Sequence, residues 1–108
     1  MGARAQVSIQ CNEKDPAVYI YTHWGTESLK EDVQTALAKK WRWNDYEYLT
    51  RIIYDTVVGT EAGTETGYGI GTEEHGDIEL LVQILPGQKV KIGGISWTFE
   101  EYLKQTFE

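Results

Sequence analysis

Lysine and arginine are missing from the whole of residues 52–88, although the chain holds ten of them elsewhere. Seven of its 17 acids fall in that gap: Asp55, Glu61, Glu65, Glu73, Glu74, Asp77 and Glu79. The remaining ten balance the ten bases, so one segment supplies the whole formal charge of −7. Net charge constrains partners rather than fold. Phosphate contacts need clustered Lys and Arg, so an acidic chain without an extended basic run argues against nucleic acid as a partner.

Cysteine is almost absent. Cys11 stands alone, which excludes an intramolecular disulfide and fits a reducing cytoplasm. Polar and apolar residues alternate around it, the setting of a buried strand thiol rather than a nucleophile. No apolar run reaches the roughly 18 residues of a membrane helix, and the longest, residues 78–85, is broken by Glu79 and Gln83. The opening residues Met1-Gly-Ala-Arg-Ala contain no apolar core of a secretory signal, so a cytoplasmic location is expected. The rest is ordinary globular composition, 41% hydrophobic, which suits a single domain over residues 1–108.

Strict alternation over residues 7–11 predicts a half-buried strand, and the β-branched and aromatic residues 17–23 predict a second one across the turn at Pro16. The two are expected to pair as a hairpin. Gly25-Thr26 opens a helix in which Ser28 and Glu31 have capping-box spacing and Leu29, Val33, Ala36 and Leu37 form an apolar stripe down to about Lys40. Asn44, with Glu47 three residues on, is the expected cap of a second helix carrying Tyr46, Leu49, Ile53 and Val57, and Gly59 is its stop. A glycine strand over residues 67–71 follows, then a central apolar strand over 78–85. Beyond the Pro86-Gly87 turn comes an edge-like strand over 88–92 with its lysines towards water. After Gly93-Gly94 and a short extended piece, Thr98 and Glu101 have capping-box spacing for a last helix through about Phe107. The order ββααββββα predicts an α+β fold with a mainly antiparallel sheet, two adjacent helices and a short C-terminal helix.

Five groups of residues are candidates for chemistry or binding. His23 and Trp24 follow a strand and precede a helix N-terminus, where unpaired N–H groups favour anions. Gly67, Gly69 and Gly71 alternate along a strand and would share one bare face, open to a ligand or to close packing. Their spacing fits neither a phosphate loop nor a dinucleotide fingerprint. Arg51 could pair with Asp55 at i+4 or reach a bound anion. In the run Glu73-Glu74-His75-Gly76-Asp77, His75, Glu74 and Asp77 could join His23 around a divalent ion, but a solvated acidic loop explains them more simply. Trp41 and Trp43 beside Arg42 suggest an aromatic patch, with at least one ring packed between helices.

Three motifs form an ordered set: Tyr21-Thr-His23-Trp24-Gly25, then Tyr48-Leu49-x-Arg51-Ile52-Ile53, then Thr66-Gly67-Tyr68-Gly69-Ile70. The set resembles a group of small, uncharacterised proteins of phages, prophages and bacterial genomes, over about residues 7 to 99. The resemblance implies that His23, Trp24, Arg51 and Tyr68 belong together, and it transfers no catalytic residue. Thr26 stands where that pattern leads one to expect a second glycine.

The expectation is therefore a non-enzymatic binding or inhibitory protein acting on a host protein, with Glu73, Glu74 and Asp77 as an acidic contact face or an aromatic surface in its place. The alternative is a binder of small anionic ligands lined by His23, Trp24, Arg51, Gly67, Gly69 and Gly71. A metal-dependent hydrolase built on His23 and His75 is weaker. No cofactor, resident metal or catalytic set is expected, and no nucleic-acid or membrane partner.

Overall fold

The computed structural model describes residues 4–22, 28–59, 63, 67–74, 76 and 78–106. Among these residues nine elements follow one another: β1 (Ala5–Ile9), β2 (Val18–Thr22), α1 (Leu29–Ala38), α2 (Tyr46–Val58), β3 (Tyr68–Gly71), β4 (Leu80–Leu85), β5 (Lys89–Ile92), β6 (Ile95–Thr98) and α3 (Phe99–Tyr102). This is the expected α+β order. His23, Trp24, His75 and Asp77 lie outside the described residues, as does the start of the expected first helix at Gly25-Thr26.

The strands form one sheet in the order β3-β2-β1-β4-β5-β6. Four pairings are antiparallel, including the expected β1–β2 hairpin, while β1 and β4 run parallel with Val7 opposite Val82. The sheet is thus mixed. The parallel pair arises because the chain leaves through β2, two helices and β3 before β4 settles on the free side of β1. Parallel neighbours require a long crossover of this kind. β5 is not an edge strand as expected, since β6 pairs along it and takes the edge.

The pleat sends alternate residues to opposite faces. One face carries Ala5, Val7 and Ile9 of β1, Ile20 of β2, Val82 and Ile84 of β4 and Val90 of β5, all buried in one cluster with α1 and α2. Helix α1 contributes Leu29, Val33, Ala36 and Leu37, and α2 contributes Leu49, Ile53 and Val57, at the three- and four-residue intervals of one helix face. Five strand spacings of about 4.8 Å make a sheet roughly 24 Å wide, slightly more than two helices at about 10 Å each can cover. Ile70 on edge strand β3 and Ile95 on edge strand β6 accordingly stay 60% exposed on the helix side. Leu80 and Trp97 pack against the cluster only half-buried, and Ile78 is half-buried too, whereas Leu29, Val33, Leu37, Leu49, Ile53 and Val82 are fully in the core.

Helix ends depart from the expected caps for identifiable reasons. Ser28 precedes α1 with a helical backbone (φ −119°, ψ −15°) and caps nothing. Its hydroxyl bonds the Asp32 side chain instead. The residue before α2 is Asp45, not Asn44, and its carboxylate pairs with Arg42 at 3.6 Å rather than with backbone N–H groups. Gly59 does end α2, with φ +59° and its N–H on the Asp55 carbonyl. The Thr98–Glu101 capping box is complete: the Thr98 hydroxyl accepts from the Glu101 N–H at 3.1 Å, and the Glu101 carboxylate accepts from the Thr98 N–H at 2.9 Å. Helix α3 is nevertheless only one turn long, shorter than expected.

Candidate functional site

The expected anionic-ligand pocket does not assemble from its described members. Arg51 lies on the solvent side of α2, where its guanidinium pairs with the Asp55 carboxylate. Gly69 and Gly71 pair with Tyr21 and Tyr19, residues that point to the sheet face opposite the helices. Helix α2 covers the other face, so Arg51 and the glycines stand on opposite sides of the sheet. Gly67 is not part of the bare face either. It precedes β3, is buried and has φ +101°, a backbone state that L side chains rarely adopt. At Gly69 and Gly71 an added Cβ would meet no atom within 4 Å among the described residues. Among the described residues no ring or helix packs on these glycines, which lie beside two half-buried tyrosines. Tyr68 pairs with Thr22 and packs against the core cluster.

Glu73 and Glu74 are exposed just beyond β3, near the start of β2. Among the described residues no group of three His, Cys, Asp or Glu side chains comes together as a metal site.

Shape and chemistry concentrate elsewhere, at the end of the sheet where α1 hands over to α2. A cleft of about 370 Å³ opens there between the β1–β2 turn, the α1–α2 connection, the β4–β5 turn and the start of α3. Trp43, Tyr46, Phe99 and Leu85 form its apolar wall, with Cys11 at the base of the β1–β2 turn. The Trp43 indole N–H donates to the Leu37 carbonyl at 3.1 Å, and its ring meets Phe99 edge-on with centroids 5.1 Å apart. Both contacts fix the plane of the ring. Cys11 sits two residues beyond the end of β1 and is half-buried, not the fully buried strand thiol expected. Burial raises its thiol above the ordinary value of 9.0, which keeps it protonated and unreactive near neutral pH.

The β4–β5 turn frames the mouth. Pro86 and Gly87, the latter with φ +87°, have the sequence of a type II turn, and Gln88 follows in a left-handed conformation at φ +57°. The α1–α2 connection is more unusual. Lys40 and Arg42 both have φ +57°, so two non-glycine residues on either side of Trp41 hold left-handed backbone. Trp41 is turned outward, 59% exposed, with the Lys39 ammonium 5.3 Å from its ring centroid. Next to it the Arg42 guanidinium lies 4.3 Å from the ring centroid of Tyr48, itself 48% exposed. The two tryptophans therefore divide the work: Trp43 packs inward and Trp41 faces solvent. Lys39, Lys40 and Arg42 make a local basic cluster that the overall acidity conceals.

The cleft is not legible in the sequence, because its wall comes from segments far apart in the chain. The usable signal was the run Lys39-Lys-Trp-Arg-Trp43, where two aromatic rings and three cations crowd one connection. No family model, curated protein or solved structure matches the chain. No helix among the described residues is long and apolar enough to cross a membrane.

Proposed function

We propose that this chain is a non-enzymatic protein-binding module whose contact surface centres on Trp41, with Arg42 and Tyr48 beside it. One observation carries the reading: a tryptophan 59% exposed on a connection held by two left-handed residues. Left-handed backbone at a non-glycine residue costs on the order of 1 kcal/mol, and such strain collects where function requires a fixed geometry. Trp, Tyr and Arg are also the residues that dominate binding energy in protein interfaces. Tyr48 and Arg42 are already stacked, so little side-chain freedom remains to be lost on association.

The partner presents an acidic or π-rich patch, because Lys39 and Arg42 flank the exposed ring. Following the resemblance to phage and prophage proteins, that partner is a host protein and the effect on it is inhibitory. The test is capture from a host lysate on immobilised protein, comparing wild type with Trp41→Ala and with a variant neutralising Glu73, Glu74 and Asp77. The proposal expects a partner retained by wild type and by the neutralised variant but lost with Trp41→Ala. Loss only on neutralisation would move the contact to the acidic loop. The anionic-ligand reading retains the open backbone of Gly69 and Gly71 as support but no longer has Arg51.

A further inference from the structure

The cleft beside this surface has a chemistry of its own, independent of what Trp41 binds. We propose that it takes a small organic ammonium: a primary amine or quaternary ammonium group carried on an apolar or aromatic body. The wall is aromatic and preorganised. Trp43 spends its N–H on Leu37 and is braced by Phe99, so it offers the cleft apolar surface and π density but no donor. The Tyr46 hydroxyl donates to the Pro16 carbonyl at 3.4 Å, which turns this ring into wall as well.

The mouth is negative. Asp15 lines the cleft, and its carboxylate makes no ion pair or hydrogen bond with any described residue. An adjoining groove shares Asp15, Asn44 and Tyr46 and adds Glu47, whose carboxylate is likewise unpaired among the described residues. The one cation of that groove, Arg42, is engaged by Asp45 at 3.6 Å and stacked on Tyr48. Ring faces and unpaired carboxylates act in the same direction: both attract a cation and repel an anion. The protonated Cys11 thiol adds neither charge nor nucleophile to the site. Asn44 and Gln88 also line the cleft, and amide side chains can orient whatever polar group the ligand body carries. A volume of about 370 Å³ lies within the usual range for small-molecule sites, about 300–1,000 Å³.

The experiment is a calorimetric titration of the full chain with three probes of one shape: phenethylammonium, phenethyl alcohol and phenylacetate. Asp15→Asn is measured alongside. Asp15 is exposed and its bonds to Asn12 and Gln10 are made by its main chain, so the substitution leaves the turn intact. The inference expects the ammonium to bind about tenfold more tightly than the alcohol, the scale of a partly desolvated cation–π contact with an ion pair, and phenylacetate not to bind. It also expects Asp15→Asn to lower the ammonium affinity about fivefold while leaving the alcohol unchanged. Displacement of the Trp43 indole N–H resonance by the ammonium would place it against the wall. Equal affinity for ammonium and alcohol, no binding of the ammonium at millimolar concentration, or indifference to Asp15→Asn would each overturn it.

Discussion

Tyr102 joins three parts of the molecule through one residue. Its buried hydroxyl donates to the Lys30 carbonyl of α1 at 2.7 Å, its ring tilts against Trp97 of β6 at 5.5 Å, and its carbonyl accepts from the Gln34 amide at 2.9 Å. Tyr102→Phe should cost about 1 kcal/mol in urea unfolding, since it removes one buried hydrogen bond while keeping the ring. Burial also raises the Tyr102 phenol above its ordinary value of 10.0. The folded state therefore holds this proton more tightly than the unfolded one. The linked stability is fully present below about pH 10 and falls as pH rises beyond it. The urea midpoint should drop as pH rises above about 10 in wild type, and by less in Tyr102→Phe. An equal drop in both would assign the effect to other groups. At this scale the sequence was legible wherever a neighbour decided the outcome, as in the Thr98–Glu101 box and the Arg51–Asp55 pair. It was not legible where two partners competed: Ser28 and Asp45 are both good capping residues, drawn off by Asp32 and Arg42.

The elements themselves follow from periodicity and punctuation. Gly93 has φ +61° while Gly94 does not have positive φ, and Ile92 pairs directly with Ile95. That is a two-residue hairpin of type II′, which places glycine at its first central position. Gly93→Ala should destabilise the fold by about 1 kcal/mol or more, because an L side chain is strained there, while Gly94→Ala should cost less. Chemical denaturation of the two variants side by side checks the turn assignment. The one-turn α3 depends heavily on its cap, so Thr98→Ala should cost about 1 kcal/mol. Element boundaries were less legible than element types. The expected strand over 78–85 contracts to Leu80–Leu85, because only those residues find partners along β1 and β5. The expected helix through Phe107 contracts to Phe99–Tyr102. Capping-box spacing locates a helix start but carries no information on its length.

At the scale of the whole molecule, local pattern ran out at the pairing of distant strands. Nothing in residues 5–9 or 80–85 marks them as parallel neighbours. That pairing depends on where the helices and β3 leave room, and on both strands being apolar enough for the sheet centre. The cleft was hidden for the same reason, as its residues meet only after β1, α2, β4 and α3 have been placed. The packing makes Leu49, fully buried between α2 and the sheet, a strong test of the core: Leu49→Ala should cost about 2–5 kcal/mol, and Leu80→Ala, only half-buried, distinctly less. Charge at this scale separates two readings of the Trp41 corner. Its three cations include Lys40, paired with Glu100 at 3.7 Å, and Arg42, paired with Asp45, within a chain of net charge −7. A gel shift at physiological salt should therefore show no tight binding to duplex DNA or RNA.

On the proposed function, Trp41 is held outward for a partner and not for the fold. This is tested most directly by measuring, for Trp41→Ala, both the urea unfolding free energy and the dissociation constant for the captured host protein. The account predicts stability within about 0.5 kcal/mol of wild type, as for an exposed residue, with affinity reduced by about 30-fold or more, the scale of an interface hot spot. Unchanged affinity, or a stability loss large enough to account for the lost binding, would contradict it.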